Sequence, residues 1–338
     1  MNVRCDVPLT SFNTFGVSCT AKYFAEITSE QELAEILSDK KFCNLPMLPL
    51  GGGSNILFTG DFNGLVLKIN LMGIEFSNPG NSEIEVSVGA GEPWHDLVNL
   101  CIKKNYGGIE NLSLIPGNAG AAPIQNIGAY GVEIKDVLKD VTVMNIHTGE
   151  KIILDNADCN FKYRKSVFKN EFRGEFIVLS IRLKLSEKPV LNTQYGAIEK
   201  KLESMGVEQP TIKDVGEAVC RIRRSKLPDP RKHGNAGSFF KNPVIRTAEF
   251  EKLKIKYPDI VGYPESGNMT KVAAGWLIDK AGWKGKRILA CGVHDKQALV
   301  LINYGKASGK EILELADLIS GDILNKFGIQ LEKEVNII

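Results

Sequence analysis

Ser29 followed by Glu32, then apolar Leu33, Ile36 and Leu37, make the first clear pattern of the chain. Ser and Glu three residues apart can cap a helix reciprocally, and the apolar spacing puts one stripe on it, so an amphipathic helix is predicted. Short apolar runs at Met47 to Leu50, Leu65 to Ile69 and Ile84 to Val88 each close on Gly or Asn, which is strand punctuation. Strands are predicted again at Val141 to Ile146, Lys151 to Leu154 and Phe176 to Leu185. The spacing turns helical after Tyr195, with stripes at Ile198, Leu202, Met205 and at Val215, Val219, Ile222, ending before Pro228 and Pro230. That change of texture predicts a domain boundary near 215 to 220. Beyond it the pattern predicts a helix from Val272 to Ala281, strands at Ile288 to Val293 and Ala298 to Asn303, and a long last helix. Ser308 and Glu311 open that helix, Ile312, Leu315, Ala316, Ile319 and Ile323 form its stripe, and Phe327-Gly328 stops it. The fold class is α+β.

A chain of 338 residues has the length of two or three domains. With 24% charged residues and a formal net charge of +2, it carries no polybasic footprint for nucleic acid. Its seven cysteines, at 5, 19, 43, 101, 159, 220 and 291, form no C-x-x-C pair and are odd in number, which fits reduced thiols in the cytoplasm. Neither a signal-like apolar stretch near Met1 to Ser11 nor a bilayer-length apolar span is visible, so no membrane partner is expected. The four histidines lack ligand spacing, and no metal is expected.

Candidate chemistry lies in glycine-rich segments. In Gly234-Asn235-Ala236-Gly237-Ser238-Phe239-Phe240-Lys241-Asn242-Pro243 one hydroxyl stands between permissive backbone and a rigid exit. No histidine is near and the nucleophile elbow is absent, which argues against acyl transfer and leaves a tight turn or a proton-donating serine. Gly51-Gly52-Gly53-Ser54-Asn55 follows an apolar strand and is either a hairpin turn or a set of N–H groups aimed at a diphosphate. Gly89-Ala90-Gly91 begins like a dinucleotide fingerprint, but Trp94 replaces the third glycine and disfavours it. The uncharged run Ile115 to Gly131 suits a cradle for a flat ligand or a buried loop. Tyr163-Arg164 offers a fork for a carboxylate, though taken by itself it reads as a surface arginine, and Glu332 and Glu334 share one face of an expected strand over Leu331 to Ile338, where taken alone both are solvated.

These segments in this order, from Ser11-Phe12-Asn13-Thr14-Phe15-Gly16 through Ser225 to Pro230 and on to Leu331 to Val335, resemble the UDP-N-acetylenolpyruvoylglucosamine reductase family. Tyr195-Gly196 and the length are similar to its type I form, in which a tyrosine loop closes over substrate. The resemblance implies a vanillyl-alcohol-oxidase type FAD-binding fold in two subdomains, 1–70 and 71–218 with strand 329–338 returning, plus a smaller α+β substrate domain over 219–328. It implies noncovalent FAD held by Gly51, Gly52, Gly53, Ser54, Asn55, Pro116, Gly117, Asn126 and Gly128. Arg164, Ser238 and Glu334 become the catalytic set, and Tyr163, Tyr195, Lys226, Asn242, Tyr263 and Gln297 the contacts to a UDP-sugar. NADPH is the implied reductant, Ser238 the proton donor, and a cytoplasmic monomer serving peptidoglycan synthesis, cell shape and division the implied setting. Ala121-Ala122 stand where the family often has hydroxyls and Asn336 where it has Arg, so a weakened FAD- or UDP-sugar-binding homologue is the alternative, with an oxidase of the same flavin fold behind it.

Overall fold

The alternating run Phe176–Ser186 is the centre of a five-stranded antiparallel sheet in the computed structural model, which describes residues 2–338. Its neighbours are Leu138–Asn145 and Lys151–Asp155 on one side and Glu83–Gly89 and Ile74–Gly80 on the other. Ile181, Leu183 and Leu185 pair with Val88, Val86 and Ile84, so the apolar alternation of both strands meets on one face and fixes the register. A second sheet orders its strands as Val3–Pro8, Thr20–Ile27, Phe62–Ile69 and Met47–Leu50, the last two parallel. Residues 51–61 join the two parallel strands, and helix Glu30–Ser38 connects Thr20–Ile27 to Met47–Leu50. It begins at the predicted reciprocal cap, with Ser29 Oγ accepting from the Glu32 N–H and Glu32 Oε2 from the Ser29 N–H, both at 3.2 Å.

The chain forms two compact units. The first holds the chain up to Val7 with Ala21–Gly52 and Asn63–Ser225, and the second holds Pro8–Thr20, Gly53–Phe62 and Lys226–Ile338. Helix Ile212–Lys226 runs through the boundary expected at 218, because Ala218, Val219 and Ile222 pack with Ile198 and Leu202 into one small core. The units part instead at its last turn. The expected halves 1–70 and 71–218 share one large core in which Leu67 and Ile69 meet Val86 and Leu183.

Within the second unit, Asn13 closes the excursion Pro8–Thr20. Its buried amide donates to the Leu9 and Val17 carbonyls at 2.9 and 3.0 Å and accepts from the Val17 N–H at 3.0 Å. Helix Gly309–Phe327 lays its predicted stripe on the unit's core and stops at left-handed Gly328, φ 69°.

Four predicted elements differ. Val272 ends the strand Met269–Val272, paired with Gly262, and the helix starts two residues later at Ala274, where Asn242 Oδ1 accepts from the Ala274 N–H at 3.0 Å. The run Ile288 to Val293 folds back on itself, as Arg287–Ile288 and Cys291–Val293 form a hairpin around exposed Leu289 at φ 53°. Its partner is only Leu301–Asn303, since the Val300 N–H turns back to the Gln297 carbonyl. The C-terminal run changes partner midway, so only Asn336–Ile337 forms a strand, parallel to Ile56–Leu57. Among the described residues no helix is long and apolar enough to cross a membrane.

Candidate active site

In the first unit the glycine segments pack backbone on backbone. A Cβ on Gly52 would lie 2.8 Å from Asn118 Oδ1 and 3.0 Å from Gly117 Cα, and one on Gly120 would lie 2.5 Å from Ala90 Cβ. Gly117 takes φ 108°, and its carbonyl accepts from the Trp94 N–H, while the Gly91 carbonyl accepts from Asn118 Nδ2. Three loops that look separate in the sequence therefore share one cradle, of which Gly51, Gly52 and Gly117 are part, with Pro116 exposed beside them. Lys68 Nζ donates to the Gly51 carbonyl at 3.0 Å, and burial holds its pKa below the ordinary lysine value. Closely packed glycine backbone with a cation behind it has the chemistry of an anionic, flat ligand's seat, and FAD fits it.

Tyr163 and Arg164 sit at the tip of a tight turn, closed because the Lys162 and Lys165 peptides bond each other at 3.0 Å in both directions. Arg164 is left-handed, φ 54°, a conformation L side chains rarely hold without a reason. The guanidinium supplies one: Nη2 donates to the Gly128 carbonyl at 2.7 Å and Nη1 to the Asn126 carbonyl at 3.2 Å. A Cβ on Gly128 would lie 3.1 Å from Nη1, so glycine leaves room for the fork. Asn126 is fully buried, and its amide donates to Glu133 Oε2 at 3.0 Å and to the Lys162 carbonyl at 3.2 Å, tying the loop to the Arg164 turn. Tyr195 stands at the N-cap of helix Gly196–Ser204, its ring edge-on to Tyr130 at 5.5 Å. Burial pushes the Tyr130 phenol's pKa up, and the charge of Arg223 pulls it the other way.

Arg223, Tyr130 and His95 were not legible in the sequence as members of the site. Arg223 Nε donates to the Leu114 carbonyl at 3.2 Å, and His95 Nδ1 accepts from the Leu114 N–H at 2.9 Å. Leu114 itself is left-handed, φ 59°, and opens the Ile115 to Gly131 loop. Burial lowers the Arg223 pKa and the charge of Arg164 lowers it further, so the two guanidinium groups feel each other. One signal was available. Arg223 lies four residues beyond Val219 and eight beyond Val215, on the buried stripe of its helix.

In the second unit the Ser238 loop is organised by buried Asn235, whose side chain donates to the His233 carbonyl at 2.8 Å and accepts from the Gly237 N–H at 3.0 Å. A Cβ on Gly234 would collide with the Phe15 carbonyl at 2.1 Å, so the Ser11 to Gly16 motif and the Ser238 motif meet through bare backbone. Gly237 is left-handed at φ 69°, and Phe239 and Phe240 are buried, which leaves part-exposed Ser238 as the presented side chain. Phe239 bonds on both sides, its N–H to the Leu299 carbonyl and its carbonyl to the Glu334 N–H, both at 2.8 Å. Ser238 and Glu334 thus lie on adjoining extended segments, joined at the bridge between Phe240 and Lys333. Gly53 presses on Phe12, at 2.0 Å from its carbonyl for an added Cβ, and the Asn55 side chain donates to the Glu334 carbonyl at 3.3 Å. Ser54 is half-buried between them. Asn336 donates through Nδ2 to the Asn55 carbonyl at 2.9 Å. Glu332 is exposed to solvent, as read, and also ion-pairs with buried Lys241, whereas Glu334 is half-buried.

Asn242 holds the first turn of helix Ala274–Lys280, and Gln297 Oε1 lies 3.3 Å from where a Gly275 Cβ would stand on the same turn. Asn242 and Gln297 are thereby brought together. Tyr263, on strand Gly262–Glu265, and Lys226, at the start of the second unit, are both exposed to solvent.

A family model described as UDP-N-acetylenolpyruvoylglucosamine reductase, C-terminal domain, matches residues 229–338, and one described as FAD binding domain matches residues 21–155. The chain is 47% identical over 337 residues to a UDP-N-acetylenolpyruvoylglucosamine reductase of Pseudomonas fluorescens, covering 100% of this chain and 99% of the relative. It is also 47% identical over 339 residues to one of Flavobacterium johnsoniae, covering 100% of each. Among solved structures, the reductase of the same name from Thermus caldophilus matches with a TM-score of 0.69 at 25% identity, over 100% of this chain and 99% of that one.

Proposed function

The chain belongs to the UDP-N-acetylenolpyruvoylglucosamine reductase family, and from that premise we propose that it reduces the enolpyruvyl ether of UDP-N-acetylglucosamine to UDP-N-acetylmuramate, for peptidoglycan synthesis in the cytoplasm. The observation that best supports the reading is full-length identity combined with the presentation of Ser238 beside Glu334 on one backbone ladder. FAD, bound in the glycine cradle, would supply the redox chemistry, with NADPH as reductant and hydride transfer to the β carbon of the substrate as what it offers.

The protein's own residues have the work of binding, orienting and moving a proton. Gly51, Gly52 and Gly117 bring peptide groups close to the cofactor's diphosphate. Gly53, Ser54, Asn55, Pro116, Asn126 and Gly128 complete that contact set as the family resemblance assigns it. Arg164, braced on two carbonyls, sets a fixed positive charge against the negative charge that grows on the substrate carboxylate and α carbon. Glu334, protonated, donates to the same oxygens, and Ser238 gives its proton to the α carbon. Tyr163, Tyr195, Lys226, Asn242, Tyr263 and Gln297 grip the sugar nucleotide; Lys226 and Tyr263 are exposed and free to meet a ligand that arrives from solvent. The protein acts as a monomer.

The test is spectroscopic. Purified protein should show a flavin spectrum that NADPH bleaches anaerobically and that the enolpyruvyl substrate, not oxygen, restores, with lactyl product formed in equal amount. A flavin reoxidised by oxygen and indifferent to the enolpyruvyl ether would refute the reading in favour of an oxidase.

A further inference from the structure

Lys241 is a lysine at 8% exposure, and its Nζ meets Glu332, whose own side chain is 61% exposed. Nothing in the proposed chemistry uses either group. The geometry points to Lys241 as a positioning residue that sets the register of the Glu334 strand against the Ser238 segment through its ion pair with Glu332. The inference rests on the functional reading above, in which Ser238 and Glu334 act together.

The ladder there is short. Phe240 faces Lys333, the Lys241 N–H donates to the Glu332 carbonyl at 2.9 Å, and the Glu334 N–H donates to the Phe239 carbonyl at 2.8 Å. Two backbone bonds alone specify register weakly, and beside the Asn55 and Asn336 contacts already described the side chains of the ladder add to the choice. In the observed register Lys241 stands across from Glu332, and Glu334 stands across from Phe239. A slip of one residue one way puts Lys333 across from Lys241 and Val335 across from Phe239. The other way puts Leu331 across from Lys241 and Lys333 across from Phe239. Each slip moves Glu334 off Phe239, to face Phe240 in the first and Ser238 in the second, and so turns its side chain to the other face of the ladder; each also leaves the buried ammonium facing a like charge or an isobutyl group, which costs far more than the observed pair. Lys333 adds a second pin from the far side through its 2.6 Å ion pair with Asp317 of the last long helix.

The chemical sensitivity follows from distance, since a misplacement of about 1 Å in an acid–base pair can cost on the order of 100-fold in rate. Lys241→Met keeps the length, removes the ion pair and leaves Glu332 hydrated. Its kcat with the enolpyruvyl substrate should fall roughly 10- to 100-fold, while KM, flavin content and flavin reduction by NADPH stay at wild-type values. Lys241→Glu should lose more, because glutamate there attracts Lys333 and favours the slipped pairing. The order wild type, Met, Glu is the signature that a loss of packing alone does not produce. The charge-swapped pair Lys241→Glu with Glu332→Lys should recover turnover relative to Lys241→Glu. Lys241→Met within twofold of wild type, or an equal loss in both half-reactions, overturns the proposal. Should the Lys241 variants not fold, Glu332→Gln and Glu332→Ala alter only the exposed partner, and unchanged kcat in both overturns it equally. Wild-type protein that does not reduce the enolpyruvyl ether would instead reject the functional reading, so the two failures are separable.

Discussion

Replacing Arg164 by Lys keeps the charge and removes the fork. The backbone at 164 has φ 54°, which lysine and arginine tolerate equally badly, so the exchange leaves the turn's strain unchanged. What changes is the brace: Nη1 and Nη2 reach the Asn126 and Gly128 carbonyls together, whereas one ammonium on a flexible stem satisfies one of them at a time. A hydrogen bond from a charged donor contributes about 1.5–3 kcal/mol. If that difference falls on placement of the charge at the substrate, kcat/KM should drop roughly 10- to 150-fold, at about 1.4 kcal/mol per decade. The assay is steady-state turnover of the enolpyruvyl ether, with flavin absorbance confirming equal cofactor content and a thermal melt confirming an intact fold. Turnover within twofold of wild type would show that charge alone suffices and that the two-carbonyl brace has no part in the chemistry.

Three further outcomes are expected. Ser238→Ala should lower turnover about 10²- to 10⁴-fold while NADPH still bleaches the flavin, and near-normal turnover removes Ser238 from the mechanism. Gly52→Ala must displace Asn118 or Gly117, a strain of about 1–3 kcal/mol, so FAD should bind roughly 5- to 150-fold more weakly by titration of the apoprotein; unchanged affinity would detach the Gly52 loop from the cofactor. His95 has its pKa lowered by burial first, with Arg224 and Arg223 adding to the effect, so its neutral form, which accepts from the Leu114 N–H, belongs to the folded state. Its contribution is present above the unfolded value of about 6.5 and is lost as pH falls through the lower folded value, so His95→Gln should show a shallower loss of melting temperature between roughly pH 7 and 5; identical slopes refute this.

Strong local signals were legible and long-range ones were not. The caps at Ser29 and Ser308 and the alternation of Phe176–Ser186 depend on residues within a few positions, and they formed as read. Ile288 to Val293 is equally apolar, yet it reverses at Leu289, because nothing local distinguishes a continuous strand from a hairpin whose turn residue is leucine. The C-terminal run changes partner from Phe239 to Asn55 and Ile56, a choice made by segments almost 100 and 280 residues away. At the site, Ser238 was visible because glycines frame it. Arg223 was not, since a guanidinium on an apolar stripe becomes meaningful only when Leu114 and Tyr130 arrive beside it.

The second unit draws together Pro8–Thr20, Gly53–Phe62 and everything from Lys226 onward. On a ribosome that order becomes a waiting time. With synthesis at roughly 5–20 residues per second, Thr20 emerges on the order of 10–40 s before the first residue of its main partner segment. Throughout that interval the Asn13 turn has its own hydrogen bonds but not Asn235 or Asn303, whose contacts to Thr14 and Phe15 complete it. Strand Ile56–Leu57 waits longer still, because its partner Asn336–Ile337 lies about 280 residues further along the chain. The Ser238 loop and its neighbours are therefore assembled only once the segment through Ile337 has been made, and a nascent chain halted before Lys226 should remain open to proteases at residues 8–20 and 53–62 while finished protein does not.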